Sequence, residues 1–269
     1  MNERAEARPP TKTAGILPRG DGTTIAYNRL AGKNPGVVFL HGFMSDMTGG
    51  KAMAVEAFCR RRGQAFVRFD AFGHGVSAGR FEEGCIGRWA ADTVAVLDAL
   101  TEGPQLLVGS SMGGWLMLLA ALQRRERIAG LLGLAAAPDF TEELLFEAFD
   151  AEQRRTLLAE GEVMVAGYDG EGPYPITRRL IEDGRQHLLL QGPINLSCPV
   201  HLIHGQQDAS VPWQTALRLQ EHLISDDVEV TLAKSGDHRL SEPADIERML
   251  GILESLLQRI ERVPAPPPP

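Results

Sequence analysis

Apolar runs alternate with amphipathic stretches from residue 35 onward, and that alternation predicts a parallel sheet covered by helices on both faces. Val37–Leu40, Ala65–Phe69, Leu106–Val108 and Ile128–Ala136 are short runs rich in leucine, valine, phenylalanine or alanine that read as buried strands. Between them Gly50–Arg62 reads as a helix closed by Gly63. Ile86–Leu100 places Trp89, Val94, Leu97 and Leu100 at helical spacing and stops near Gly103-Pro104. Met112–Arg124 reads as a further helix. The rhythm returns late in the chain with the strand Val200–His204, a helix over Trp213–Leu223 and the strand Val228–Ala233. A last helix runs from Ser241 to about Ile260, its start marked by Ser241-Glu242-Pro243-Ala244-Asp245. Upstream of residue 35, Thr23–Leu30 and Gly15–Leu17 read as antiparallel edge strands.

The rhythm breaks after the sixth strand. From Asp139 to about Gly192 two helical stretches, Glu142–Leu158 and Ile176–Leu190, flank the glycine- and proline-rich patch Gly167–Pro175. A structureless connection of that length would be unusual, so residues 139–192 are expected to form a helical cap. It would sit over the carboxyl ends of the strands, where such sheets bind ligands. The core then comprises residues 1–138 and 193–262, and 263–269 is a proline-rich, disordered tail. Phe140, Leu144, Leu145, Phe146, Phe149 and Met164 could line an apolar pocket under the cap, although a cap core would use the same residue types. Phe146 and Phe149, with Met44 from the loop after the third strand, are the candidate substrate contacts.

The chemistry centres on Leu106-Leu107-Val108-Gly109-Ser110-Ser111-Met112-Gly113-Gly114-Trp115-Leu116. A buried strand passes through Gly-x-Ser-x-Gly directly into a helix, a turn so tight that the serine is pushed out above the sheet. Gly109 and Gly113 stand where a Cβ would strike neighbouring backbone. A serine hydroxyl needs an adjacent base, and the base needs an acid to hold its tautomer. Of seven histidines, only His222 and His238 follow the late acids. His222 lies in an amphipathic helix among charged neighbours and reads as solvated. His238, in Lys234-Ser235-Gly236-Asp237-His238-Arg239, leaves a strand where a base can swing over the sheet edge. Two acids compete to orient it: Asp208, after the strand Val200–His204, and Asp139, after Ile128–Ala136. Chain order favours Asp208. Asp237 reads as a capping or surface group. Donors for a developing oxyanion are expected from the backbone N–H groups of Met112 and of Phe43. His41 and His74 read as loop-ordering residues.

With these residues in place, the chain resembles the α/β-hydrolase superfamily over nearly its whole length. His41-Gly42-Phe43, Gly73-His74-Gly75-Val76-Ser77, the serine turn and the Asp208/His238 pair carry the likeness. Ser45-Asp46-Met47, Arg68-Phe69-Asp70, Gly109–Trp115 and Gly236-Asp237-His238-Arg239-Leu240-Ser241 are similar to the palmitoyl-protein thioesterase/acyl-glucuronide esterase branch and its bacterial homologues. That resemblance implies an α/β-hydrolase fold, a triad of Ser111, Asp208 and His238, and cleavage of a small acyl ester or thioester without cofactor or metal. Alternatives are another bond, C–C or peptide, on the same triad, and a non-catalytic ligand-binding scaffold. Epoxide hydrolases and dehalogenases of this superfamily carry aspartate where this chain has Ser111.

Composition narrows the setting. The 269 residues can bury a sizeable core, and the formal charge of −8 speaks against a nucleic-acid partner. No run is long and apolar enough to span a membrane. Three scattered cysteines, Cys59, Cys85 and Cys198, form no disulfide or metal spacing, and Met1–Pro10 has no apolar signal core. A cytoplasmic, bacterial-type homologue is the expectation.

Overall fold

The structure is a computed structural model describing residues 12–167 and 172–262. Its strands are β1 (Lys12–Pro18), β2 (Thr24–Leu30), β3 (Lys33–Leu40), β4 (Gln64–Phe69), β5 (Gln105–Ser110), β6 (Ile128–Leu134), β7 (Glu162–Val165), β8 (Tyr174–Thr177), β9 (Val200–Gly205) and β10 (Val228–Ala233). All but β7 and β8 join one sheet in the order β1-β2-β4-β3-β5-β6-β9-β10. The pairs β1–β2 and β2–β4 are antiparallel; from β4 to β10 every pairing is parallel. The helices are α1 (Gly50–Arg62), α2 (Ile86–Leu100), α3 (Met112–Gln123), α4 (Ala151–Glu160), α5 (Arg178–Gly184), α6 (Gln214–His222) and α7 (Pro243–Arg262).

Strand periodicity divides the core into two layers. On β3, Val38 and Leu40 point to the side covered by α2, α3 and α6, while Val37 and Phe39 point to α1 and α7. Leu107 and its neighbours Leu106 and Val108 split the same way on β5. Both faces are therefore dry, which is why these strands read as continuous apolar runs rather than alternating ones. From Met112 to Ala121, α3 is buried on every side, as expected of a helix with no charge in that stretch. Its Trp115 donates its indole N–H to the carbonyl of His187 (3.1 Å), fastening the helix to the insertion above it.

That insertion, between β6 and β9, differs in detail from the two helices expected. A π-helical turn at Thr141–Phe146 precedes α4, and α4 is followed by the hairpin β7–β8 and then by the short α5. Asp150 breaks the first expected helix. Its carboxylate accepts from the Glu152 and Gln153 amides (2.8 Å each), and the Gln153 side chain returns a bond to Asp150 N–H, a capping box that starts a new helix. The second begins late because Val163 and Ile176 face each other across the hairpin, and Thr177 then caps α5. Residues 168–171 of the glycine-rich patch and the whole of 263–269 lie outside the described residues. At the other end, the expected edge strand Gly15–Leu17 extends over all of β1.

Candidate active site

β5 ends at Ser110 and α3 starts at Met112, so Ser111 makes the reversal alone, with φ 54° and ψ −119°. A non-glycine residue in that region stores on the order of 1–3 kcal/mol of strain. The surroundings over-determine it: Ser111 N–H donates to Leu134 O (2.9 Å), and its carbonyl accepts from Gly114 (2.8 Å) and Ala137 (3.1 Å). The flanking glycines are steric necessities. A Cβ on Gly109 would lie 2.3 Å from Gly113 O, and one on Gly113 would lie 2.3 Å from Leu40 O.

The hydroxyl so exposed meets an imidazole from far along the chain. His238 Nε2 lies 3.0 Å from Ser111 Oγ, and His238 Nδ1 lies 2.7 Å from Asp208 Oδ2. The carboxylate fixes the tautomer: Nδ1 carries the proton, and Nε2 turns its lone pair to the serine. Two adjacent loops bring acid and base together by touching backbone to backbone. A Cβ on Gly205 would stand 2.2 Å from Gly236 O, and the amides of Gln206 and Gln207 donate to Ala233 O and Gly236 O (2.8 and 2.9 Å). Asp208 Oδ1 accepts from the Ser210 and Val211 amides at 2.8 Å each. Burial alone would raise its pKa, but the neighbouring His204 and the bonds from His238 and Val211 outweigh it and hold the carboxyl well below the ordinary range. Two contributors were not singled out in the sequence. His204 lies beside Asp208, and Lys51 Nζ bonds the carbonyl of Arg239, bracing the loop that carries His238. Burial brings the Lys51 amine down to about 8.

Asp139, the competing acid, is committed elsewhere. With φ 61° and its side chain buried, it accepts from the amides of Leu189 and Leu190, both at 2.8 Å, and so ties the two ends of the insertion together. Asp237 accepts from Leu240 N–H (2.9 Å) and shapes the turn.

The loop after β3 lies against the serine: a Cβ on Gly42 would be 3.4 Å from Ser111 Cβ. His41 holds this loop, donating through Nδ1 to Gly42 O (2.8 Å) and accepting from Ala71 N–H at Nε2 (3.1 Å). Neither Phe43 N–H nor Met112 N–H meets an acceptor among the described residues. The second is one of the free donors that begin any helix, at the positive end of its dipole. The Phe43 ring sits amid Phe81, Trp89, Phe140 and Tyr174, with centroids 4.9 to 5.9 Å away. Met44 is 45% exposed with φ 57°. Phe149 is buried in the core, and Phe146 lies under the guanidinium groups of Arg185 and Arg154, 4.3 and 5.3 Å away. Among the described residues no cluster of three or more His, Cys, Asp or Glu side chains is arranged to hold a metal. No helix among them is long and apolar enough to cross a membrane.

His74 packs against His41 and donates through Nδ1 to Phe72 O (3.1 Å), while its buried Nε2 has no partner among the described residues. Burial, helped by the neighbouring His41, pulls its pKa from 6.5 down to about 3. Between those values the unfolded chain binds the extra proton and the folded one does not, so stability falls as pH drops through that window. The shift is worth on the order of 5 kcal/mol at its acid end. His74→Phe should therefore move the acid-unfolding midpoint, followed by circular dichroism, to lower pH; the Phe72 carbonyl keeps its bond from the Trp89 indole. An unmoved midpoint would refute this account.

Residues 37–249 match the profile of the Alpha/beta hydrolase family. A rat protein named palmitoyl-protein thioesterase ABHD10, mitochondrial, is 41% identical over 252 residues, covering 93% of this chain and 84% of the relative. The solved mouse alpha/beta hydrolase domain-containing protein 10 aligns with a TM-score of 0.87 at 41% identity, over 92% of this chain and 99% of that one. A solved protein from Agrobacterium vitis S4 aligns with a TM-score of 0.88 at 38% identity, over 93% and 100%. The rat protein and its mouse, bovine and human counterparts are all named as mitochondrial. That overturns the cytoplasmic location expected above, which rested on the composition of Met1–Pro10 and on cysteine usage, not on any feature of the folded domain.

Proposed function

The chain belongs to the alpha/beta hydrolase family, and from that premise we propose that it cleaves acyl esters or thioesters through an acyl-enzyme on Ser111. Ser111 Oγ attacks the acyl carbon as His238 Nε2 takes its proton. The N–H groups of Phe43 and Met112 receive the charge that develops on the carbonyl oxygen. His238 then gives its proton to the departing thiol or alcohol, and the acyl group remains on Ser111. Water, deprotonated by the same nitrogen, repeats the attack and frees the acid. Asp208 stays ionised throughout and steadies the imidazolium.

The observation that carries this reading is the unbroken hydrogen-bonded path from Ser111 Oγ through His238 to Asp208. The thioester half of it leans on relatives named as palmitoyl-protein thioesterases. Residues 139–192 act in this reading as a cap, with Met44, Phe146 and Phe149 as acyl-chain contacts and Phe140 and Tyr174 packed against the loop that carries Phe43.

A fluorophosphonate probe tests the core of the proposal. It should label the wild-type protein on Ser111, with labelling abolished in Ser111→Ala, while p-nitrophenyl esters and acyl-CoA thioesters of increasing chain length give rates that vary with length. Failure to label the folded wild-type protein would overturn the serine mechanism. A flat length profile, unchanged by Phe146→Ala and Phe149→Ala, would remove those two residues from the acyl site.

A further inference from the structure

Asp208 has a second histidine on the oxygen that holds His238. Its Oδ2 lies 2.7 Å from His238 Nδ1 and 3.2 Å from His204 Nε2. His204, near the end of β9, is fully buried. Its Nε2 also stands 3.1 Å from the Val211 carbonyl, so this nitrogen faces two acceptors. Its Nδ1 is buried and has no hydrogen-bond partner among the described residues.

A neutral imidazole carries one proton, and these surroundings decide where it sits. On Nδ1 it would leave an N–H buried and unpaired and turn the Nε2 lone pair against two oxygens. On Nε2 it serves a carboxylate and a carbonyl, leaving only a lone pair without a partner. His204 thus carries its proton on Nε2, the N–H that bonds the Val211 carbonyl with Asp208 Oδ2 only 3.2 Å from the same nitrogen.

The rest of that carboxylate is already committed. The Ser210 and Val211 amides hold Oδ1, and on Oδ2 the only other donor among the described residues is His238 itself. Without His204, the far end of the acid would be held only by the ring it has to orient. We infer that His204 is a positioning residue for the reaction proposed above: its Nε2–H fixes Asp208 Oδ2, and through it the ring plane and the Nδ1-protonated tautomer of His238. The inference rests on the serine-hydrolase reading for its effect on rate, but not for the tautomer it requires.

Two substitutions separate donation from packing. His204→Phe keeps a ring and removes the donor, whereas His204→Gln returns an amide N–H near the position of Nε2. With a p-nitrophenyl ester, His204→Phe should lower kcat about tenfold with KM unchanged, and His204→Gln should recover most of the loss. Unchanged kcat in a folded His204→Phe protein would overturn the inference, and so would equal losses in the two variants. A third readout needs no turnover. In 15N spectra of histidine-labelled protein at neutral pH, the ring signals missing from His204→Gln should report a protonated Nε2 and a bare Nδ1. The opposite tautomer would overturn the inference whatever the enzyme does to substrate, whereas absent labelling of Ser111 would fault the serine mechanism alone. If His204→Phe fails to fold, the spectrum decides.

Discussion

His238→Ala is expected to lower kcat for an acyl ester or thioester by about a million-fold while leaving KM nearly unchanged. The imidazole is the only group among the described residues that hydrogen-bonds Ser111 Oγ. The proposed cycle uses it four times, to take and return a proton in each half-reaction. Removing it leaves an un-ionised hydroxyl and a leaving group without an acid. What survives is the pull of the Phe43 and Met112 amides on the developing oxyanion, worth roughly 10³–10⁴ over the uncatalysed reaction. Asp208→Asn should cost about 10⁴, because an amide cannot hold the Nδ1-protonated tautomer against a charged ring. Single-turnover assays on both variants check this. A loss below about a hundredfold in His238→Ala would remove that residue from the base role.

Gly205→Ala should damage stability and activity together, although Gly205 contributes no side chain to the Ser111–His238–Asp208 path. The added Cβ would meet Gly236 O at 2.2 Å and Asp237 O at 2.6 Å, and both are backbone atoms with no side-chain freedom to yield. The loops bearing Asp208 and His238 must part, and the bonds from Gln206 and Gln207 that lace them together lengthen. Overpacking of this kind costs about 1–3 kcal/mol. An acid–base pair displaced by an ångström loses on the order of a hundredfold in rate. Gly251→Ala supplies the contrast. It lies within α7 with nothing inside 4 Å of its added Cβ, and should stabilise the fold by about 0.5–1 kcal/mol with unchanged kcat. Thermal melts and initial rates on the two alanine variants decide it. Were Gly205→Ala as stable and active as wild type, loop-to-loop contact would not be what brings acid and base together.

What could be read from the sequence followed the range of the forces involved. α1 and α2 fall on the residues expected of them, because the glycine that closes α1 and the apolar stripe of α2 act within a few turns. The serine turn was equally visible, since its glycines answer to neighbours in the same short segment. The hairpin β7–β8 was missed because a strand of four residues carries too little alternation to outvote a helical reading, and Pro175 lies within it. The break at Asp150 was legible in principle, as an Asp with a Gln three residues on. The fates of Asp139 and His204 were not. A buried carboxylate and a buried imidazole declare their partners only when distant segments pack, and Asp139 found Leu189 and Leu190 where His238 had been an option.

Phe43 belongs to two neighbourhoods at once. Its amide faces the place where charge gathers during bond cleavage in the proposed cycle, while its ring is gripped by Phe140 and Tyr174, which come from the insertion. A guest too bulky for that insertion would lever the ring, and the ring would tilt the amide off its target. Poorly fitting molecules would then still be admitted and held, yet turned over slowly, so that selectivity is written into speed rather than affinity.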